Sequence, residues 1–264
     1  VAAQEGAGTA FRSGCVELVM LSMATVNSPA RGGVRDISDA LGGGIRESSL
    51  VLIEGESGTG KSVLAQHIAS GVLHSKEGSV VYYSTEYQAT TLVAQMDSIA
   101  LEVGHELVTD RFRIYNISLE DVMEKPEAKL DLLLSYLKEL PGRFRLVVID
   151  SPSPFMTRVG PTTKMNFLHQ CKQLCDDDRS IVLTMDSYVL EGKSLSRAYE
   201  MSDYYLKLST PDILLEAGRV EQRAIKILEV TKMGGVERRG RAGIRFEIKP
   251  RIGIQILPFV QVRV

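Results

Sequence analysis

Two apolar periodicities alternate along this chain, and their order predicts its architecture. The run SLVLIEG over 49–55 is short and β-branched, and reads as a strand. After a Gly-rich stretch, KSVLAQHIASGVL places Val63, Leu64, Ile68 and Val72 at helical spacing. SVVYYS (79–84) reads as the next strand, and TTLVAQMDSIALEVG as an amphipathic helix that Gly104 can stop. RFRIYN is a further strand candidate. EKPEAKLDLLLSYLKELPG is a helix with Pro126 in its opening turn and Pro141-Gly142 at its end. RLVVID (145–150) and SIVLTMD (180–186) are two more buried strands, separated by the helix KMNFLHQCKQLC.

From about 203 the texture changes to strands alone: DYYLKLS, QRAIKILEVTK, GIRFEIK and GIQILPFVQV. Alternating strands and helices followed by a meander predict an α/β fold, a mainly parallel sheet flanked by helices with antiparallel C-terminal strands at one side. No repeat, low-complexity tract or Gly/Ser linker interrupts the 264 residues, so one domain spanning 1–264 is the economical organisation. Residues 1–30 read as an extension whose ELVMLSMATV segment could pair on a sheet edge or pack on a neighbour.

Composition narrows the class only a little. With 44% hydrophobic residues, 24% charged residues and a formal charge of -2, the chain has no global attraction for nucleic acid or anionic lipid. The longest apolar stretch near the start, CVELVMLSMATV, is too short to span a bilayer and contains Glu17. The expectation is a soluble cytoplasmic chain without direct membrane insertion. Three cysteines, Cys15, Cys171 and Cys175, form no C-x-x-C pair. Cys171 and Cys175 with nearby His169 could be drawn as metal ligands, but two small residues at i and i+4 fit a helix core more simply.

The candidate chemistry is concentrated at 55–62, where GESGTGKS follows a predicted strand and opens a predicted helix. That context suits a phosphate-binding loop: successive backbone N–H groups and the positive end of a helix dipole converge on one anion. Gly55, Gly58 and Gly60 allow close approach of the backbone, with Glu56, Ser57, Thr59 and Val63 completing the cradle. Lys61 is placed to neutralise β- and γ-phosphates, and the Ser62 hydroxyl is a hard oxygen suited to Mg2+. Such an ion needs a carboxylate at the end of a neighbouring buried strand, and Asp150 fits; a turn residue before Ser151-Pro152 is the competing reading. Glu86, ending the strand after the loop's helix, is the candidate to orient or deprotonate a water, unless it is only a solvated helix start. Thr184 and Asp186 could sense a γ-phosphate. ATP is preferred to GTP because no Asn/Thr-Lys-x-Asp guanine motif is present.

Taken together, ALGGGIRESSLVLIEGESGTGKSVLAQHIASG, VVYYSTE, RLVVIDSPS, AIKILEVTKMGG and FEIKPRIGIQILP resemble the single-domain KaiC-like branch of the RecA superfamily, in particular its members that serve the archaellum, the archaeal motility motor. The likeness spans roughly 40–264. It implies a RecA-like core able to form a hexameric ring, with ATP at the subunit interface. It also implies a place in the cytoplasmic motor complex, peripheral to the membrane, beside the motor ATPase FlaI. It assigns phosphate binding to 55–62, magnesium to Ser62 and Asp150, and water activation to Glu86.

Two departures matter. KaiC domains carry two adjacent glutamates after the second strand, whereas Glu86 is flanked by Thr85 and Tyr87. They also use a Lys-x-Arg near the end to reach a neighbour's site; here Lys232 persists but the arginine position is Gly234. A missing arginine predicts slow turnover with binding preserved. The resulting expectation is an ATP-binding assembly component with weak ATPase activity at most. The rivals are an active ATPase or autokinase and a recombinase-like DNA-binding ATPase. The segments SPSPFMTRVGPTTK and DSYVLEGK are short and barely basic, so no nucleic-acid partner is expected, although the Arg238, Arg239 and Arg241 run is a contrary sign.

Overall fold

The computed structural model describes residues 44–75, 78–118, 125–211, 213–214, 220–221, 225–234, 236–237 and 243–257. The extension at 1–30, Cys15 and the Arg238, Arg239 and Arg241 run lie outside the described residues.

Strand β1 (Leu50–Gly55) is followed by α1 (Lys61–His74), β2 (Val80–Ser84), α2 (Ala89–Ser98) and α3 (Gly104–Val108). Next come β3 (Phe112–Asn116), α4 (Pro126–Glu139), β4 (Leu146–Asp150), α5 (Ser153–Met156), α6 (Pro161–Asp176) and β5 (Ser180–Asp186). Helix α7 (Gly192–Met201) leads into β6 (Tyr204–Ser209). The short β7 (Ile213–Leu214) and β8 (Val220–Glu221) pair with each other. The chain then forms β9 (Ile225–Met233), β10 (Val236–Glu237), β11 (Ile244–Lys249) and β12 (Gly253–Ile256).

The main sheet has the order β12-β11-β9-β6-β1-β5-β4-β2-β3, with β10 on the end of β9. From β6 to β3 every pair is parallel, while β9, β11 and β12 continue antiparallel beyond β6. The predicted class is therefore the observed one. The apolar continuity of β1, β4 and β5 has its cause in two-sided burial, since every residue of β1 and β4 is buried.

Alternation along each strand divides the core into two layers. Val51, Ile53, Val148 and Val182 pack with Leu64 and Ile68 of α1 on one face. Leu50, Leu52, Val147, Ile149 and Leu183 pack with Phe167, Leu168 and Cys171 of α6 on the other. Cys171 and Cys175 are buried free thiols, pushed upward in pKa by burial, and Cys175 reaches about 12. They are core residues. Among the described residues no group of three or more His, Cys, Asp or Glu could hold a metal, and no helix is long and apolar enough to cross a membrane.

Three local features differ from the sequence expectation. The helix read through Gly104 ends at Ser98, because Ala100 turns left-handed (φ 61) and the Leu101 N–H bonds back to Met96 O at 2.9 Å. Gly104 then starts α3 rather than ending α2. Helix α7 is an addition to the sequence reading: Ala198 is buried, and Leu195, Tyr199 and Met201 pack partly buried on the α6 layer. Finally, β6 belongs with the parallel strands, placed beside β1, and the meander starts only at β9.

Candidate functional site

Strand parity decides which polar side chains meet the loop at 55–62. Asp150 shares its face with Val148, and Thr184 and Asp186 share theirs with Val182, so all three carry onto the α1 layer. Glu54, immediately before the loop, shares its face with Leu52 and falls in the opposite layer, where the Tyr205 hydroxyl donates to it. Thus the residue nearest the loop in sequence is withdrawn from it, and residues some 90 to 130 positions away are delivered.

The loop itself is shaped by left-handed glycines. Gly58 has φ 78, and Gly60, the N-cap of α1, has φ 96, a region costly for side-chain-bearing residues. Gly55 is needed for a different reason: a Cβ there would lie 2.6 Å from Thr59 Oγ1 and 2.7 Å from the Leu208 carbonyl of β6. Glu56 and Ser57 are exposed, while Thr59 is buried and donates to the Glu56 carbonyl at 2.7 Å. Val63 packs into the α1 core layer, so only its backbone N–H faces the loop.

Lys61 is folded into the loop. Its Nζ donates to the Gly55 and Glu56 carbonyls at 3.0 and 2.9 Å and lies 2.9 Å from Asp186 Oδ1. Beside it, Ser62 Oγ donates to Asp150 Oδ1 at 3.1 Å. The same carboxylate accepts Thr184 Oγ1 at 2.6 Å, and its other oxygen accepts the Tyr82 hydroxyl at 2.6 Å. Asp150 is 1% exposed, so these three donors are what keep the buried charge solvated. Burial and the Asp150 charge drive the Tyr82 phenol well above its usual range, which keeps it a donor. A hydroxyl and a carboxylate oxygen this close form a hard donor pair, the chemistry Mg2+ takes alongside phosphate oxygens and water.

Glu86 stands just past β2, whose Ser84 is in register with Asp150. Its side chain reaches solvent, yet its pKa is raised, first by partial desolvation and then by the Asp150 charge. Lys61 opposes the shift and Asp186 adds to it. The structure thereby gathers Lys61, Ser62, Glu86, Asp150, Thr184 and Asp186 around one loop.

A profile of the KaiC ATPase family matches residues 30–261. The chain belongs to the KaiC ATPase family. Among its relatives, the archaeal flagellar ATP-binding protein FlaH of Sulfolobus acidocaldarius is 28% identical over 82% of this chain and 91% of that protein. FlaH of Methanocaldococcus jannaschii is 40% identical over a shorter segment, 28% of this chain and 31% of that protein. The crystal structure of the flagellar accessory protein FlaH from the same organism superposes with a TM-score of 0.67 at 20% identity, covering 87% of this chain and 98% of that one. That likeness confirms the RecA-like KaiC fold.

One residue assigned through the KaiC resemblance is not gathered into this cluster. A register shift between Tyr205 and Leu206 moves the pairing from Val230 to Lys232, so Lys232 lies with Tyr205 on the α6 and α7 side. There it is buried, and its Nζ donates to the Tyr199 and Glu200 carbonyls at 2.8 Å each, at the C-terminus of α7. Gly234, at the arginine position of the KaiC Lys-x-Arg, has φ 58. Its carbonyl accepts Arg46 Nη2 at 2.6 Å, and a Cβ would lie 1.8 Å from that nitrogen. A side chain at 234 therefore requires Arg46 to move.

Conversely, Lys226 of β9 was not anticipated at the loop. Its Nζ donates to the Gly58 carbonyl, and its stem packs beside Gly60 together with Ile248 of β11. Nothing local in QRAIKILEVTK marks this lysine, because the approach depends on the β6–β9 pairing. A cavity of about 630 Å³ opens elsewhere, between β3 and α4, with Tyr83, Tyr115, Leu132, Tyr136 and Phe155 in its walls and no residue of the 55–62 loop.

Proposed function

We propose that this KaiC-family chain is an ATP-binding component of the archaeal motility motor, one that uses bound nucleotide to assemble and regulate the complex and hydrolyses it slowly or not at all. The observation that carries the binding half is the convergence of Lys61, Ser62 and the buried Asp150 on a loop held open by Gly58 and Gly60. The similarity to FlaH over most of both chains supports the motility assignment. In this reading 1–264 is a single ATP-binding domain, with its nucleotide at the interface between subunits. ATP is held by the amides of 55–63 and by Lys61. Mg2+ is held by Ser62 and Asp150, with Thr184 and Tyr82 fixing the carboxylate, and supplies charge neutralisation on the phosphates.

Glu86 is the only carboxylate left for water activation after β2, and its raised proton affinity suits a base. Gly234, at the arginine position of the KaiC Lys-x-Arg, has no side chain to offer a neighbour's developing charge. That is the case for slow turnover. The expected assembly is a self-associated ring, a hexamer in the KaiC resemblance, peripheral to the membrane and in contact with FlaI.

Sizing the protein with and without Mg-ATP, for the wild type and Lys61→Ala, tests this. A nucleotide-dependent oligomer lost in Lys61→Ala supports it; monomers under all conditions sink it. A turnover matching ordinary ATPases, abolished by Glu86→Gln, would establish the active-ATPase alternative.

A further inference from the structure

Besides Lys61, a second cation stands at the loop. Lys226 reaches the loop from β9, 168 residues away from Gly58 in sequence. Its alkyl stem lies against the left-handed turn: a Cβ built on Gly60 would be 3.3 Å from Lys226 Cδ and 3.8 Å from Cε. An uncharged side chain of similar length would fill that space without placing an ammonium in a half-buried position. The charge is poorly compensated, since burial alone lowers the Lys226 pKa and no carboxylate partners it among the described residues. An ammonium has three N–H donors, and a single carbonyl occupies one of them.

The loop's own lysine is in the opposite situation. Lys61 is neutralised by Asp186 and satisfied by two carbonyls. Lys226 is therefore the uncompensated charge beside a cradle built for anions. We infer that Lys226 is a second phosphate-binding cation, supplied by β9 of the same chain, which exchanges the Gly58 carbonyl for phosphate oxygens of the bound nucleotide. This rests on the reading of 55–62 as a nucleotide site. It also makes the C-terminal strands respond to phosphate, because β9 pairs with both β6 and β11.

The test is titration of the full chain with Mg-ATP, comparing wild type, Lys226→Met, Lys226→Arg, Lys226→Glu and Lys61→Ala, together with the unfolding midpoint of each free protein. Lys226→Met should weaken binding by roughly tenfold or more, the scale of one charge-assisted contact. Lys226→Glu should bind more weakly still, and Lys226→Arg should stay within about threefold of wild type. The affinity of Lys226→Met should also depend less on ionic strength, because one attractive charge has gone. Unchanged affinity in Lys226→Met, with wild-type binding still abolished by Lys61→Ala, overturns this proposal alone. So does an equal loss in Met and Glu variants that tracks a lowered midpoint, which would make Lys226 only a buttress of the loop. Failure of the wild type to bind Mg-ATP overturns the nucleotide-site reading as well.

Discussion

Lys61 Nζ and Asp186 Oδ1 stand 2.9 Å apart at the adjoining ends of β1 and β5, where Gly55 and Asp186 are in register. The pair is sheltered, with side-chain exposures of 10% and 20%. An incoming phosphate and Asp186 would claim the same ammonium. Asp186→Asn should therefore tighten ATP binding, by about three- to tenfold if the pair contributes about 1 kcal/mol. Calorimetric titration of the variant checks this, and weaker binding would instead make Asp186 part of the ligand's own shell.

Glu86 predicts a direction for pH dependence. Its folded-state proton affinity is raised by desolvation and by the Asp150 and Asp186 charges. A base must be ionised to act, so any turnover should climb with pH over a range displaced above that of an ordinary glutamate and then level off. Glu86→Gln should abolish turnover and its pH response while leaving ATP affinity within about threefold, because the phosphates are held elsewhere. Single-turnover phosphate release across pH, beside equilibrium binding, separates the two effects.

Local patterns carried much of this site, and the limits of that legibility are physical. GESGTGKS announces a strand, a turn and a helix within eight residues, and Asp150 ends a strand too apolar to be anything but buried. Chain parity then sends Asp150, Thr184 and Asp186 to one face, a regularity of period two that the sequence displays openly. Lys226 and Lys232 lie outside that logic. Their positions depend on a non-local pairing of β9 with β6 and on one register shift at Tyr205 and Leu206, which reverses the face of everything after it. Helix α7, by contrast, was open to reading: Leu195, Ala198 and Tyr199 stand at helical spacing and pack on the α6 layer.

His67 gives a stability test independent of nucleotide. It lies on α1, 8% exposed, and its Nε2 accepts the Ile254 N–H at 3.2 Å, tying the helix to β12. Burial lowers its pKa from 6.5 to about 4, so the folded chain holds the ring neutral. Between those values the unfolded chain binds the proton and the folded chain does not. Stability contributed by the neutral ring is thus complete above pH 6.5 and lost as pH falls toward 4, by at most about 3 kcal/mol. His67→Gln should flatten the unfolding midpoint over that window while costing some stability at neutral pH.

Lys232 offers the clearest separation of a structural role from a functional one. Its ammonium meets the last carbonyls of α7 and stands 5.4 Å from the centre of the Tyr199 ring, where a cation complements the helix dipole. Removing it would leave the Tyr199 and Glu200 carbonyls without that donor in a buried site. Lys232→Met should then lower stability by about 2 kcal/mol, with Mg-ATP affinity of the isolated chain unchanged. Denaturant unfolding and nucleotide titration of the same variant give the two readouts. The KaiC resemblance assigns this lysine to a neighbour's phosphates, and that role leaves a different signature. Stability would hold, and the loss would appear only at protein concentrations where the chain self-associates on Mg-ATP.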